Sequence, residues 1–191
     1  MFGITPDIIT AAKGLTSGYV PLGAVLISDR LLEGITGEHA RDAVFSNGFT
    51  YSGHPVCCAA AMANLDILER EQLPEYVREI GPYFQERLRE LAELPIVGDV
   101  RGMGLVGCVE CSIADESHGG DNALELDYAI GNRIDAHCQA RGLLVRPFVN
   151  MCVMSPPLPI TRAQVDELVD TLRIGIECTE DDLRAEGIWN G

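Results

Sequence analysis

The 191 residues carry 29 Asp and Glu against 14 Lys and Arg, a formal net charge of −15. A surface this acidic repels phosphate backbones, which argues against a nucleic-acid partner. The 47% hydrophobic content indicates a globular chain and not a disordered one, yet no apolar run approaches the roughly 20 residues that span a bilayer. Met1-Phe2-Gly3-Ile4-Thr5-Pro6-Asp7 has no basic region and meets a proline early. No signal peptide is therefore expected, and a soluble cytoplasmic protein is the expected setting.

In chain order, Ile8-Ile9-Thr10 is a short β-rich run leading into Lys13-Gly14-Leu15-Thr16-Ser17-Gly18, which glycine and serine mark as a loop. Residues 23–28 form a short apolar run bounded by turn residues, as in a buried strand. Asp29 is placed to cap a short helix over residues 30–34. Residues 36–53 are polar and glycine-containing, and so long a loop is usually functional or disordered. Pro55 opens an alanine-rich helix that runs to about Arg70. A second helix follows Pro74, with Val77, Ile80, Phe84, Leu88 and Leu91 at spacings of three and four. Residues 97–101 and 105–110 read as strands, residues 123–140 as a helix that Gly142 stops, and residues 143–146 and 151–154 as two more strands. Thr161 caps a long final helix carrying Val165, Leu168, Val169, Leu172 and Ile176. The expected fold class is α/β, with a boundary near residue 73.

Seven cysteines is an odd number, and their apolar settings predict reduced, buried thiols and no disulfide framework. Cys108-Val109-Glu110-Cys111 matches C-x-x-C but lacks the second pair of a zinc site, so no metal is expected. Gly102-Met103-Gly104-Leu105-Val106-Gly107 fits G-x-G-x-x-G. It runs into a strand with no helix directly after it, which makes it a tight strand-to-strand turn and not a dinucleotide site. Gly48-Phe49-Thr50-Tyr51-Ser52-Gly53-His54-Pro55 enters a helix N-terminus. Its backbone N–H groups and hydroxyls suit an anion such as phosphate, or serve as ordinary capping. His54 has no visible acid or nucleophile partner, which favours a structural role. Arg146 ends an apolar run and needs an anionic partner, either an internal carboxylate or a substrate carboxylate bound bidentately. Of the 14 basic residues, 13 are Arg and one, Lys13, is Lys. Arginine cannot replace lysine where an unprotonated primary amine is needed, and Schiff-base chemistry is such a case; the other reading is one surface lysine left by chance.

The order of these segments is recognisable. Residues 6–24, PDIITAAKGLTSGYVPLGA, resemble the lysine segment of class III (omega) aminotransferases. Thr50-Tyr51-Ser52-Gly53-His54-Pro55 and its alanine-rich helix resemble their next signature. Residues 100–105, 142–147 and 156–158 continue the match, so the resemblance covers nearly the whole chain. It implies a fold type I pyridoxal-phosphate-dependent transferase: the end of the large domain in residues 1–73 and the small C-terminal α/β domain in residues 74–191. Lys13 would hold pyridoxal 5′-phosphate as a Schiff base and shuttle the proton. Phe49, through its backbone N–H, and Thr50 would hold the cofactor phosphate, typically that of the neighbouring subunit, which implies a homodimer. Arg146 would receive substrate carboxylate. The reaction would be transamination between a small amine or amino acid and a keto acid or aldehyde.

Members of this family run to more than twice this length. Their glycine-rich phosphate loop, their ring-stacking aromatic and the Asp that pairs with the pyridine nitrogen cannot be located here. The chain is therefore expected to be a C-terminal fragment, inactive or nearly so alone. An aminomutase of the same fold would share the Lys and Thr motifs, and product analysis separates it from a transaminase. A non-catalytic chain stable only with a full-length partner is separated by size-exclusion chromatography. A Schiff-base lyase without the cofactor, such as an aldolase, is separated by borohydride trapping.

Overall fold

A computed structural model describes residues 3–36, 48–113 and 123–190. The chain divides into two compact units, Met1–Gln72 and Leu73–Gly191.

In the first unit, strands β1 (Ile8–Ala11) and β2 (Ala24–Ile27) pair antiparallel, with Ile8 opposite Ile27 and Ala11 opposite Ala24. The stretch between them begins with a 3-10 turn over Lys13–Thr16, where the sequence predicts only a loop. The run around β2 is predicted to be buried, but Val25 and Leu26 are 60% and 53% exposed. A two-stranded ribbon has few neighbours of its own and buries little. Helix α1 (Asp29–Thr36) extends past Gly34, and Asp29 lies inside its first turn and not at its cap. The Ser28 carbonyl instead accepts the amides of Leu31 and Leu32, both at 3.0 Å. Helix α2 (Pro55–Arg70) has the predicted bounds. Of the predicted loop over residues 36–53, residues 37–47 lie outside the described residues.

The second unit is built on an antiparallel sheet of β3 (Val97–Met103), β4 (Val106–Cys111), β5 (Arg146–Phe148) and β6 (Met151–Met154), in the order β3-β4-β6-β5. Period-two alternation turns Gly107, Val109 and Cys111 of β4 inward, and Cys152 and Met154 of β6 are buried too. Helices α3 (Leu73–Arg89), α4 (Ala123–Gln139) and α5 (Arg162–Ala185) supply the rest of the core, with Phe84, Leu88, Ile134 and Leu172 fully buried. Burying each such side chain contributes about 1.5–3 kcal/mol. Leu91, expected on the same helix as Leu88, lies in a separate 3-10 turn over Glu90–Glu93 and is still fully buried.

Backbone details explain several boundaries. Met103 pairs with Val106 across a tight turn in which Gly104 has φ +59°, so the G-x-G-x-x-G run is a β-hairpin. A Cβ on Gly131 of α4 would lie 1.9 Å from the Val149 carbonyl oxygen, so only glycine permits that approach of helix to strand turn. Thr161 and Gln164 form a reciprocal capping box at the start of α5. The strand expected over residues 143–146 is displaced: β5 begins at Arg146. Leu143 instead closes the end of α4, its amide donating to the Cys138 carbonyl at 3.0 Å after Gly142 at φ +86°.

Candidate functional site

Lys13 sits two residues past the end of β1, at the start of the 3-10 turn. Its φ is +51° and that of Ser17, at the other end of the turn, is +49°. A side chain in this left-handed region costs roughly 1–2 kcal/mol, so the turn is held against a local preference. Several bonds hold it. The Lys13 carbonyl accepts from the Gly18 amide at 3.3 Å, the Thr16 carbonyl accepts from the Tyr19 amide at 3.1 Å, and buried Thr16 donates its hydroxyl to the Val20 carbonyl at 2.6 Å. From α2, the Asn64 side-chain amide donates to the carbonyls of Gly14 at 2.9 Å and Leu15 at 3.2 Å. The Ser17 hydroxyl donates to the other end of that amide at 2.7 Å. Lys13 itself is exposed, and its ammonium has no hydrogen bond or ion pair among the described residues. Its side chain is therefore accessible on the surface of this unit.

The second predicted segment is a turn before α2. The Phe49 amide, expected to meet phosphate, donates to the Ser52 hydroxyl at 2.9 Å, and the Ser52 amide donates to the Phe49 carbonyl at 2.8 Å. Thr50 is exposed at the tip, and its hydroxyl has no partner among the described residues. Phe49 and Tyr51 are 81% and 79% exposed, more than a turn that packs on its own unit requires. Tyr51 and His54 rings lie 6.0 Å apart. With Pro21, Leu22 and Cys57 they line a cleft of about 370 Å³, and the buried His54 Nδ1 has no hydrogen-bond partner there.

Arg146 belongs to the second unit. It opens β5 opposite Val153 and is exposed, not at the end of a buried strand as the sequence suggests. Among the described residues it has neither hydrogen bond nor ion pair, so the internal carboxylate partner is not found there. The Pro156-Pro157 segment lines a separate cleft of about 420 Å³ with Leu143, Ile160 and Leu168. No group of three or more His, Cys, Asp or Glu among the described residues could hold a metal ion. All seven cysteines are free. Contrary to the expectation of burial throughout, Cys58 is exposed and Cys57, Cys108 and Cys178 are half-buried.

Asn64 is the residue of this site that motif reading missed. The available signal was faint: an Asn in an alanine-rich helix, three residues from Ala61, four from Leu68 and seven from Cys57 on the face that packs.

The family profile of the class-III aminotransferases matches residues 1–175. The chain belongs to that family. It is 41% identical over 191 residues to an uncharacterized aminotransferase, y4uB, of Sinorhizobium fredii, covering 97% of this chain and 40% of that protein. It is 39% identical over 181 residues to γ-aminobutyrate transaminase 1, mitochondrial, of Oryza sativa subsp. indica, covering 95% of this chain and 34% of that protein. Among solved structures, a thermostable (S)-enantioselective omega-transaminase from Thermomicrobium roseum matches with a TM-score of 0.80 at 42% identity, over 93% of this chain and 38% of that one. The chain thus spans about two fifths of the length of its relatives or less. The fold is that of the fold type I pyridoxal-phosphate-dependent transferases, and the cofactor of the family is pyridoxal 5′-phosphate.

Proposed function

We propose that this chain is the lysine-bearing portion of a pyridoxal-phosphate-dependent transaminase. The observation that carries the reading is the sole lysine, unpaired among the described residues, held at positive φ at the start of a 3-10 turn two residues past the end of β1. The Met1–Gln72 unit is the end of the large cofactor domain and the Leu73–Gly191 unit is the small domain. The cofactor, when bound, supplies the electron sink for breaking bonds at the substrate's Cα. The Lys13 Nζ would hold the cofactor through its aldehyde carbon, and the same amine would move the proton at the substrate's Cα. The Phe49 amide and the Thr50 hydroxyl hold phosphate, for which the Ser52 hydroxyl gives up or shares the Phe49 amide. The planar guanidinium of Arg146 receives a substrate carboxylate.

Relatives named for γ-aminobutyrate in Oryza sativa, and for putrescine and pyruvate in Pseudomonas aeruginosa, support an amine or amino-acid donor and a keto-acid or aldehyde acceptor. The exposed Phe49 and Tyr51 support a homodimer in which this turn serves the neighbouring subunit's cofactor. Seven free thiols support a reducing, cytoplasmic compartment. No described helix is long and apolar enough to cross a membrane.

The test is reconstitution of the complete gene product with pyridoxal phosphate. The wild type is expected to gain the visible absorbance of a lysine-bound pyridoxal, and borohydride is expected to fix a pyridoxyl group on Lys13. Lys13→Ala is expected to abolish both, together with transamination. An absorbance that survives Lys13→Ala overturns the reading. The 191-residue polypeptide alone is expected to turn over far more slowly than its relatives, and turnover at their rates refutes that part.

A further inference from the structure

We propose that Asn64 is a positioning residue: its side-chain amide fixes the backbone turn that aims the Lys13 amine. This rests on the reading that Lys13 binds the cofactor.

Three hydrogen bonds converge on one amide, across about fifty residues of sequence. Both acceptors, the Gly14 and Leu15 carbonyls, belong to the turn that Lys13 opens. Carbonyl oxygens only accept, so the Asn64 nitrogen must face them and its oxygen must face away. The Ser17 hydroxyl donates to that oxygen and fixes the orientation. The clamp therefore grips the turn between its two left-handed residues, Lys13 and Ser17. Those are the positions where the backbone is most inclined to relax to negative φ. Released, the turn would carry Cα of Lys13 with it, and the amine at the end of a four-carbon stem would lose its fixed origin. Alternatives on this face of α2 do no such work. Ala61 only packs, and Cys57 lines the cleft with His54. Asn64 also fits no helical requirement of its own, since asparagine is a poor interior helix former.

The single lysine makes the consequence readable. The complete gene product is prepared as wild type, Asn64→Ala, Asn64→Asp and Ser17→Ala. Asn64→Asp keeps the size and the Ser17 bond but replaces two donors with oxygen facing carbonyls. Two quantities are read: amide hydrogen exchange of Ser17, Gly18 and Tyr19 without cofactor, at millisecond to second labelling times, and the rate at which pyridoxal phosphate becomes borohydride-trappable on Lys13. Condensation joins the lysine nitrogen to the aldehyde carbon with loss of one water, and hydride reduction fixes the bond for peptide mass analysis. Both Asn64 variants are expected to speed exchange at the three amides and slow attachment to Lys13, each on the order of tenfold, with Ser17→Ala intermediate. Faster exchange throughout the unit, β1 included, would mean that Asn64 merely stabilises it, and overturns the proposal. Unchanged exchange and unchanged attachment overturn it as well. If the wild type carries no pyridoxyl group on Lys13, the cofactor reading falls, and the positioning role falls with it. The exchange data then still show whether the clamp on the turn exists.

Discussion

Burial sets the chemistry of each cysteine separately. Cys111 and Cys152 face the core of the second unit, and burial pushes the Cys111 thiol up to about 12 and Cys152 higher still. Cys138, behind α5, is pushed up to about 11 by burial. A thiolate is the reacting form, so these three combine low access with low ionisation. Cys58 is exposed to solvent. A thiol reagent at neutral pH is expected to label Cys58 first, and Cys111, Cys138 and Cys152 only when the second unit unfolds. Peptide mapping at successive times checks this, and early modification of Cys152 would contradict it. The pattern was only half readable in the amino-acid string. Cys57 and Cys58 are neighbours of identical local composition, but a helix turns adjacent residues some 100° apart, so one meets the packed face and the other meets solvent.

Elements are joined by polar latches that no motif announces. Helices α3 and α5 meet through Arg87, which pairs with Asp166 at 2.9 Å and Asp170 at 2.6 Å, while the Tyr83 hydroxyl donates to Asp166. The hydrogen bond from Tyr83, and then that from Arg87, hold the Asp166 carboxyl below its ordinary value. A carboxyl whose value is depressed on folding adds stability above its unfolded value, and that contribution is lost as pH falls through the folded one. Asp166→Asn is therefore expected to lower stability at neutral pH and to narrow the gap from wild type as the pH drops below the usual carboxylate range. Urea midpoints measured across that range decide it, and a gap that widens in acid would refute the assignment. The partners are about eighty residues apart, which explains why the helices were legible from periodicity and their latch was not. Elements with a strong local signal are legible: α2, with its proline start, in both its bounds, and α5 in its Thr161 cap, though not in its end at Ala185. Strand β5 was misplaced because Leu143 and Leu144 are apolar. The C-terminal closure of α4 draws them out of the extended run, and apolar content alone does not register that.

At the scale of the molecule, the two units are unequal in what they bury. Among the described residues of Met1–Gln72, only Thr16 and Ala61 are buried, whereas Leu73–Gly191 encloses a continuous core from Ile80 to Leu183. Large apolar side chains such as Ile8, Val25, Tyr19 and Val56 stand more than half exposed in the first unit. The lysine and threonine motifs that gave the family away thus lie on the less self-sufficient part. Hydrophobic burial is the main opponent of chain entropy, so the first unit is expected to open at a much lower free energy than the second. Native-state hydrogen exchange of the 191-residue polypeptide checks this. Amides of α3, β4 and α5 are expected to exchange only through global unfolding, and those of β1 and β2 orders of magnitude faster. Brief proteolysis is correspondingly expected to cut before residue 73 and leave the second unit intact. Equal protection of β1 and β4 would mean that the first unit finds cover for its exposed apolar side chains within this polypeptide. The dependence on residues beyond those present here, which the slow turnover expected of the polypeptide alone presupposes, would then lose its physical basis.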